Sequence, residues 1–197
     1  DGRGLAIFLN SENPALLPEL MNSVTSVYNW PGYEIPKSVP TVEIPDADAK
    51  KYAGLYVYEG KIAEITRQAN GLFFWAAGQD YKMYKTPTNA FISVELLSEK
   101  FFDFDSSGNV TGYRRIVNGK EYPLARKIKI SDIDTLNTEP GELNSIGWHL
   151  VQEKRFDDAI PFLQRSIQVE PQDIAAECNL AHCYLFKKEY NKAIALY

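Results

Sequence analysis

The strongest constraint on what this chain can fold into is an internal echo at a 34-residue spacing near its C-terminus. Phe156, Ala159, Ile160 and Leu163 recur as Tyr190, Ala193, Ile194 and Tyr197, while Ile146, Gly147 and Leu150 recur as Leu180, Ala181 and Tyr184. A fixed period of that length marks a small helical unit that buries its apolar face by stacking on its neighbours. The small residues have a physical purpose: Gly147 and Ala159 let paired helices approach closely, as Ala181 and Ala193 do one period later. The echo stops at Tyr197 in what reads as mid-helix, so the sequence is expected to be a piece of something longer. One and a half repeats fall short of the roughly three needed for independence. Support is therefore expected from the preceding segment or from further repeats.

Around the echo, the helical grammar spans residues 139–197. Glu139-Pro140-Gly141-Glu142 opens it, Leu143, Ile146, Gly147, Leu150 and Val151 mark a first helix, and Lys154-Arg155 makes the turn. Phe156 to Val169 forms a second helix stopped by Pro171, and Ile174 to Lys187 repeats the first.

From Tyr52 to Ile128 the grammar is β. Eight short apolar pieces, Leu55–Tyr58, Ile62–Gln68, Leu72–Ala76, Tyr81–Tyr84, Phe91–Val94, Lys100–Asp105, Val110–Ile116 and Glu121–Ala125, are separated by turn signals. Asn118-Gly119 is the sharpest of these signals, because a type I′ turn needs positive φ at both central residues. Eight strands at such short spacing predict a compact antiparallel barrel or sandwich rather than a mixed fold. Trp75, Tyr81, Tyr84, Phe91, Phe101, Phe102 and Phe104 are candidates for its interior, mainly as filling and alternatively as the lining of a small apolar pocket. Arg67, Arg114 and Arg115 read as strand-surface charges.

Residues 37–51 read as a linker stiffened by Pro40 and Pro45 and leading into a helical turn. Before it, Leu5-Ala6-Ile7-Phe8-Leu9 predicts a buried strand. Leu16, Leu17, Leu20, Met21, Val24, Val27 and Tyr28 follow at helical spacing, with Asn13 as N-cap and Pro14 as first helical residue. One strand and one helix cannot close a core by themselves. The expected class is thus α+β: a small antiparallel β-barrel between an N-terminal strand-helix remnant, residues 1–36, and a C-terminal array of helical hairpins.

Several functions are disfavoured. A net charge of -5 and a pI near 5.2 provide no basic surface for nucleic acid, and no apolar run is long enough to span a bilayer. Cys178 and Cys183 lie five apart on one predicted helix, where their side chains diverge by about 140° and cannot bridge. His182 beside them does not complete a metal site, since one helix cannot place three ligands around one ion. No metal or other cofactor is expected.

Three resemblances follow from these residues. The 34-residue unit resembles the tetratricopeptide repeat, whose first helices line a concave groove for protein or peptide partners. That resemblance places Asn144, Trp148 and Gln152 of the first repeat beside Cys178, His182 and Phe186 of the second. These positions are not basic, unlike those of relatives that grip a C-terminal carboxylate. The β segment, with Tyr52-x-Gly54-x-Tyr56 and Phe102-x-Phe104, resembles a small lipocalin-like domain of unknown function that follows certain serine hydrolase domains. Gly2 to Ser11 with Tyr28-Asn29-Trp30-Pro31 resembles the last strand and closing helix of serine hydrolases related to class C β-lactamases and penicillin-binding proteins.

That last resemblance implies a catalytic parent and a bacterial periplasmic or cell-envelope location. It also implies that catalysis lies elsewhere, because Ser-x-x-Lys and Tyr-x-Asn are absent from this sequence. Lys85-Thr86-Pro87 makes no third box, and the Ser11-Glu12-Asn13 and Ser107-Gly108-Asn109 triplets have no nucleophile to serve. Two functions compete. One is a non-catalytic accessory region that binds a protein partner through the repeats. The other is a ligand-binding or enzymatic barrel dependent on carboxylates such as Glu64, Asp80, Glu95 or Asp103. The apolar ends are further expected to self-associate, giving a homo-oligomer, or to pack on the other segments.

Overall fold

A computed structural model describes residues 4–8, 16–30, 38–93, 96, 98–117 and 119–197. The chain divides into two compact units, Asp1–Pro40 and Thr41–Tyr197.

The first unit contains helix α1, Leu16–Tyr28. It ends where Asn29 enters the left-handed region at φ 48°, and Trp30 N–H donates to the Thr25 carbonyl at 3.1 Å. The expected strand does not form over residues 4–8, and Phe8 is 94% exposed. An apolar run becomes a strand only when another strand supplies its hydrogen-bond ladder, and none of the described residues pairs with this one. Leu9, the expected cap Asn13 and Pro14 lie outside the described residues.

The second unit opens with helix α2, Asp46–Tyr52, and continues into eight strands. These are β1 (Gly54–Tyr58), β2 (Lys61–Gln68), β3 (Gly71–Ala76), β4 (Gln79–Lys85), β5 (Phe91–Ser93), β6 (Ser98–Phe104), β7 (Val110–Val117) and β8 (Lys120–Ile128). Each pairs antiparallel with the next, and β8 closes on β1 through Leu55↔Ile128 and Val57↔Arg126. The closed meander removes every sheet edge. Val94, Glu95 and Asn118, named in the sequence reading, lie outside the described residues.

Strand alternation divides the side chains. Tyr56, Ala63, Ile65, Leu72, Phe74, Met83, Phe91, Tyr113 and Ala125 fill the interior, with Ala49 and Tyr52 of α2 closing one end. Tyr52 packs on Phe91 and Phe102 at ring separations of 4.7 and 4.8 Å, and its carbonyl accepts from the Tyr56 hydroxyl. Arg67 pairs with Asp46 and Val42 bridges to Lys85, which latches α2 and its approach segment to the barrel.

Five expectations about the barrel need correction, two of them because Tyr84 and Phe101 occupy the outward phase of β4 and β6. Trp75 faces outward, because the pleat that turns Phe74 inward must turn its neighbour out. Phe104 is half exposed at the end of β6, beyond the filled interior. Arg115 is no surface charge: its register with Lys100 turns it inward, where its guanidinium stacks between Tyr58 and Tyr122 at 5.0 and 4.6 Å.

A 3₁₀ helix, Ile130–Thr135, leads to α3 (Pro140–Gln152), α4 (Phe156–Val169), α5 (Ile174–Phe186) and α6 (Tyr190–Ile194). The echo reappears in the backbone. Lys154 and Lys188, one period apart, both adopt positive φ at 60° and 64°. Arg155 N–H donates to Leu150 O, as Glu189 N–H donates to Tyr184 O, each at 2.8 Å. Ala159, Ala181 and Ala193 are buried as expected, and a Cβ at Gly147 would stand 2.6 Å from Leu163 Cδ2. Close approach of α3 and α4 requires glycine there.

Candidate functional site

The repeat helices are anchored on the outside of the barrel. Leu55, Ile62, Trp75 and Ile128 form one apolar cluster with Ile133, Leu143, Ile146, Leu150 and Val151. Polar groups fix its orientation. Glu64 is buried in this interface, one carboxylate oxygen accepting from Arg155 and the other from His149 Nε2 at 3.0 Å. The His149 ring lies flat on Trp75, at 4.2 Å and 15°. Near the β1–β2 turn, Ile62 N–H donates to Glu142 Oε1 at 2.8 Å. Burial alone would push the Glu64 carboxyl up, but the bonds from His149 and Arg155 outweigh it and hold it below its ordinary value.

Away from this contact α3 packs on α4 and α5. Trp148, adjacent to His149, is 40% exposed and points away from the barrel contact. Its ring centre lies 6.3 Å from that of His182 on α5, which is itself 6.3 Å from Phe186. Phe186 is 57% exposed and stacks on Phe156 at 5.3 Å, and Tyr197 meets His182 edge-on at 6.2 Å. The result is an aromatic row across the first helices of two successive repeats. His182 Nδ1 is buried with no protein hydrogen-bond partner among the described residues.

Of the six residues expected in the groove, the structure therefore joins Trp148, His182 and Phe186. Asn144 lies further along the same two helices and accepts from Asn179 Nδ2 at 2.9 Å. Gln152 is exposed at the end of α3, and Cys178 is a half-buried free thiol. Sequence reasoning missed Phe156, Tyr197 and Asn179 as neighbours of this row. Phe156 and Tyr197 sit at repeat positions reserved for packing, which gave no reason to look for them in a groove.

The carboxylates considered for catalysis are not gathered into one site. Glu64 is enclosed by the barrel–repeat interface, Asp103 pairs with Arg114 at 3.2 Å on the surface, and Asp80 is exposed on the outer face of β4. Glu95 lies outside the described residues. The Ser107-Gly108-Asn109 triplet shapes the β6–β7 turn, where Asp105 Oδ1 accepts from the Ser107 and Asn109 amides at 2.9 Å each. Among the described residues, no group of three His, Cys, Asp or Glu side chains is placed to hold a metal ion, and no helix is long and apolar enough to cross a membrane.

Residues 139–197 thus form a helical hairpin array with a 34-residue period and small residues at its helix contacts. Residues 150–197 match the tetratricopeptide repeat family. Over 62 residues the chain is 36% identical to a tetratricopeptide repeat protein 30 homolog of Caenorhabditis elegans and 34% identical to that of Caenorhabditis briggsae. The matched stretch is 32% of this chain and 10% and 9% of those proteins, so the chain spans about a tenth of the length of the curated relatives it matches.

Proposed function

We propose that this chain is a non-catalytic accessory region whose repeats hold a protein or peptide partner, with the barrel as their rigid base. The observation that carries this reading is the row of Trp148, His182 and Phe186, held at ring separations of 6.3 Å on facing first helices while the opposite flank of α3 is consumed by the barrel. Exposed aromatics with a polar handle are efficient anchors, because they bury large area at low entropic cost. The partner chemistry that fits is an apolar or aromatic peptide segment. Lys187, the residue that caps the C-terminal end of α5, is already neutralised by Asp157 and Glu189.

The test is selection of binding peptides from a random library on the full chain, followed by comparison with a Trp148→Ala, Phe186→Ala double variant. Selected peptides should lose most of their affinity for the variant while its melting temperature stays near wild type. Equal binding to both proteins would refute the assignment.

The proposed parent is a serine hydrolase related to class C β-lactamases. That part of the reading is supported by the residues of the first unit alone. A Ser-x-x-Lys box encoded upstream would support it.

A further inference from the structure

Beside the filled barrel, at the end that α2 closes, a cleft of about 430 Å³ opens to solvent. Register explains it. β3 pairs with β4 as far as Leu72↔Met83, and beyond that point Val42 takes the place of β3, bridging to Lys85 and donating its N–H to the Lys85 carbonyl at 2.8 Å. Among the described residues the approach segment pairs with β4 at Val42 alone, so a slot remains between this segment and the β2–β3 hairpin. The Arg67–Asp46 pair joins the two walls of the slot.

The floor of the cleft is apolar. Leu72, Met83 and Ala49 belong to the barrel core, Ile44 packs against them, and Val42 stands 42% exposed at the side. An apolar group placed there covers surface that the approach segment leaves to water.

Its charges do not cancel. The lining contains the cations Arg67, Lys82 and Lys85 and the carboxylates Glu43 and Asp46, which leaves one positive charge in excess on a chain whose net charge is -5. Asp46 is engaged by Arg67, and Asp48, the next carboxylate of α2, is engaged by Lys51 at 2.7 Å. Among the described residues, no carboxylate lies within ion-pair distance of Lys82 or Lys85. Lys85 shares the inward phase of its cross-strand partner Phe91, Lys82 shares the outward phase of Phe73, and both line the slot because the edge of β4 is uncovered there. The Lys82 ammonium lies 5.3 Å from the centre of the Tyr84 ring, which holds it at the wall.

We propose that this cleft binds a small monocarboxylate with an aliphatic body, its tail laid over Met83 and Ile44 and its anion received by the two lysines at the edge of β4. One excess positive charge calls for one negative charge, and the lysine ammoniums provide donors that rotate to meet it. The floor calls for an apolar tail, and the volume falls within the roughly 300–1,000 Å³ of small-molecule sites. Glu43, on the opposite wall, opposes the anion and sets a limit on its affinity.

The chain has two methionines, Met83 in the cleft and Met21 on α1, so the second is an internal control. The experiment labels the methionine methyls of the full chain with ¹³C and titrates octanoate, octylammonium and acetate. Octanoate should shift the Met83 methyl saturably and leave Met21 in place. Octylammonium and acetate should bind at least about tenfold more weakly, as should octanoate to a Lys82→Gln, Lys85→Gln variant, the loss expected for one hydrogen bond to a charged group. Lys82→Arg, Lys85→Arg should keep the affinity, and Glu43→Gln should increase it. No saturable shift at Met83, an equal shift at Met21, or undiminished binding to the double glutamine variant would overturn the proposal. Equal affinity for octylammonium would overturn the anion, and equal affinity for acetate would overturn the apolar body. Should the double glutamine variant fail to fold, Glu43→Gln leaves both lysines in place, and unchanged octanoate affinity there also refutes the site.

Discussion

Replacing Glu64 by glutamine tests whether the barrel and the repeats are one cooperative body. Glu64 is 3% exposed and receives bonds from two donors, Arg155 and His149, that lie on the far side of the interface. In the Glu64→Gln variant the amide oxygen can accept from one of them, while its NH₂ group confronts the other. Breaking a buried charged pair costs about 3–5 kcal/mol, and a hydrogen bond to a charged group contributes about 1.5–3 kcal/mol. Arg155 is 36% exposed and keeps water as an alternative partner, which favours a loss of about 2–3 kcal/mol. With a urea slope of about 1–3 kcal/mol per molar, the midpoint should fall by about 0.7–3 M.

Urea titration followed by circular dichroism and by tryptophan fluorescence measures this. In a Trp30→Phe, Trp148→Phe background, Trp75 reports the interface directly. A midpoint within about 0.2 M of wild type would refute the idea that this carboxylate holds the two parts together. Acid provides a second reading. Glu64 is held below its ordinary 4.5, so the native chain carries fewer protons there than the unfolded chain. Its contribution is complete above 4.5 and disappears as pH falls through the lower native value, a step that Glu64→Gln should lack.

Three further outcomes are expected. Gly147→Leu should destabilise the repeats by about 2 kcal/mol or more, because a side chain there meets the buried Leu163, and an unchanged thermal midpoint would contradict the close approach of α3 and α4. Lys100 is lowered to about 7 from 10.5, so the unfolded chain binds more protons between those values. Its contribution to stability should therefore rise across that window by at most about 1.4 kcal/mol per pH unit, and Lys100→Met should remove that slope in chemical denaturation. Cys183 is buried with its thiol pushed up to about 11, so a thiol reagent should modify Cys178 in the native protein and Cys183 only on unfolding, whereas rapid double labelling would exclude the packed helix.

Much of the second unit was legible in the sequence because its signals are local. The eight strand pieces are bounded by turn chemistry, and the helix starts at Pro140, Phe156, Ile174 and Tyr190 follow the repeat period. The phase of the pleat was less legible. Leu72 to Ala76 is apolar throughout because both barrel faces are buried there, so nothing local indicates that Phe74 goes inside and Trp75 outside. The aromatic row on α3 and α5 was half legible. Repeat positions select Trp148, His182 and Phe186, but only tertiary packing brings Phe156 and Tyr197 to them. The Glu64–His149–Arg155 cluster joins residues 85 and 91 positions apart, and no spacing rule reaches that far. Lys100 reads as an ordinary strand lysine until its register is known.

The anchoring of α3 also has a geometric consequence for any cargo. The Ile62–Glu142 bond ties the start of α3 to the β1–β2 turn, and the Glu64 cluster removes the rotation that a single tether would leave. A peptide held by the repeats would therefore keep one fixed angle to the barrel, as if both were cut from one block.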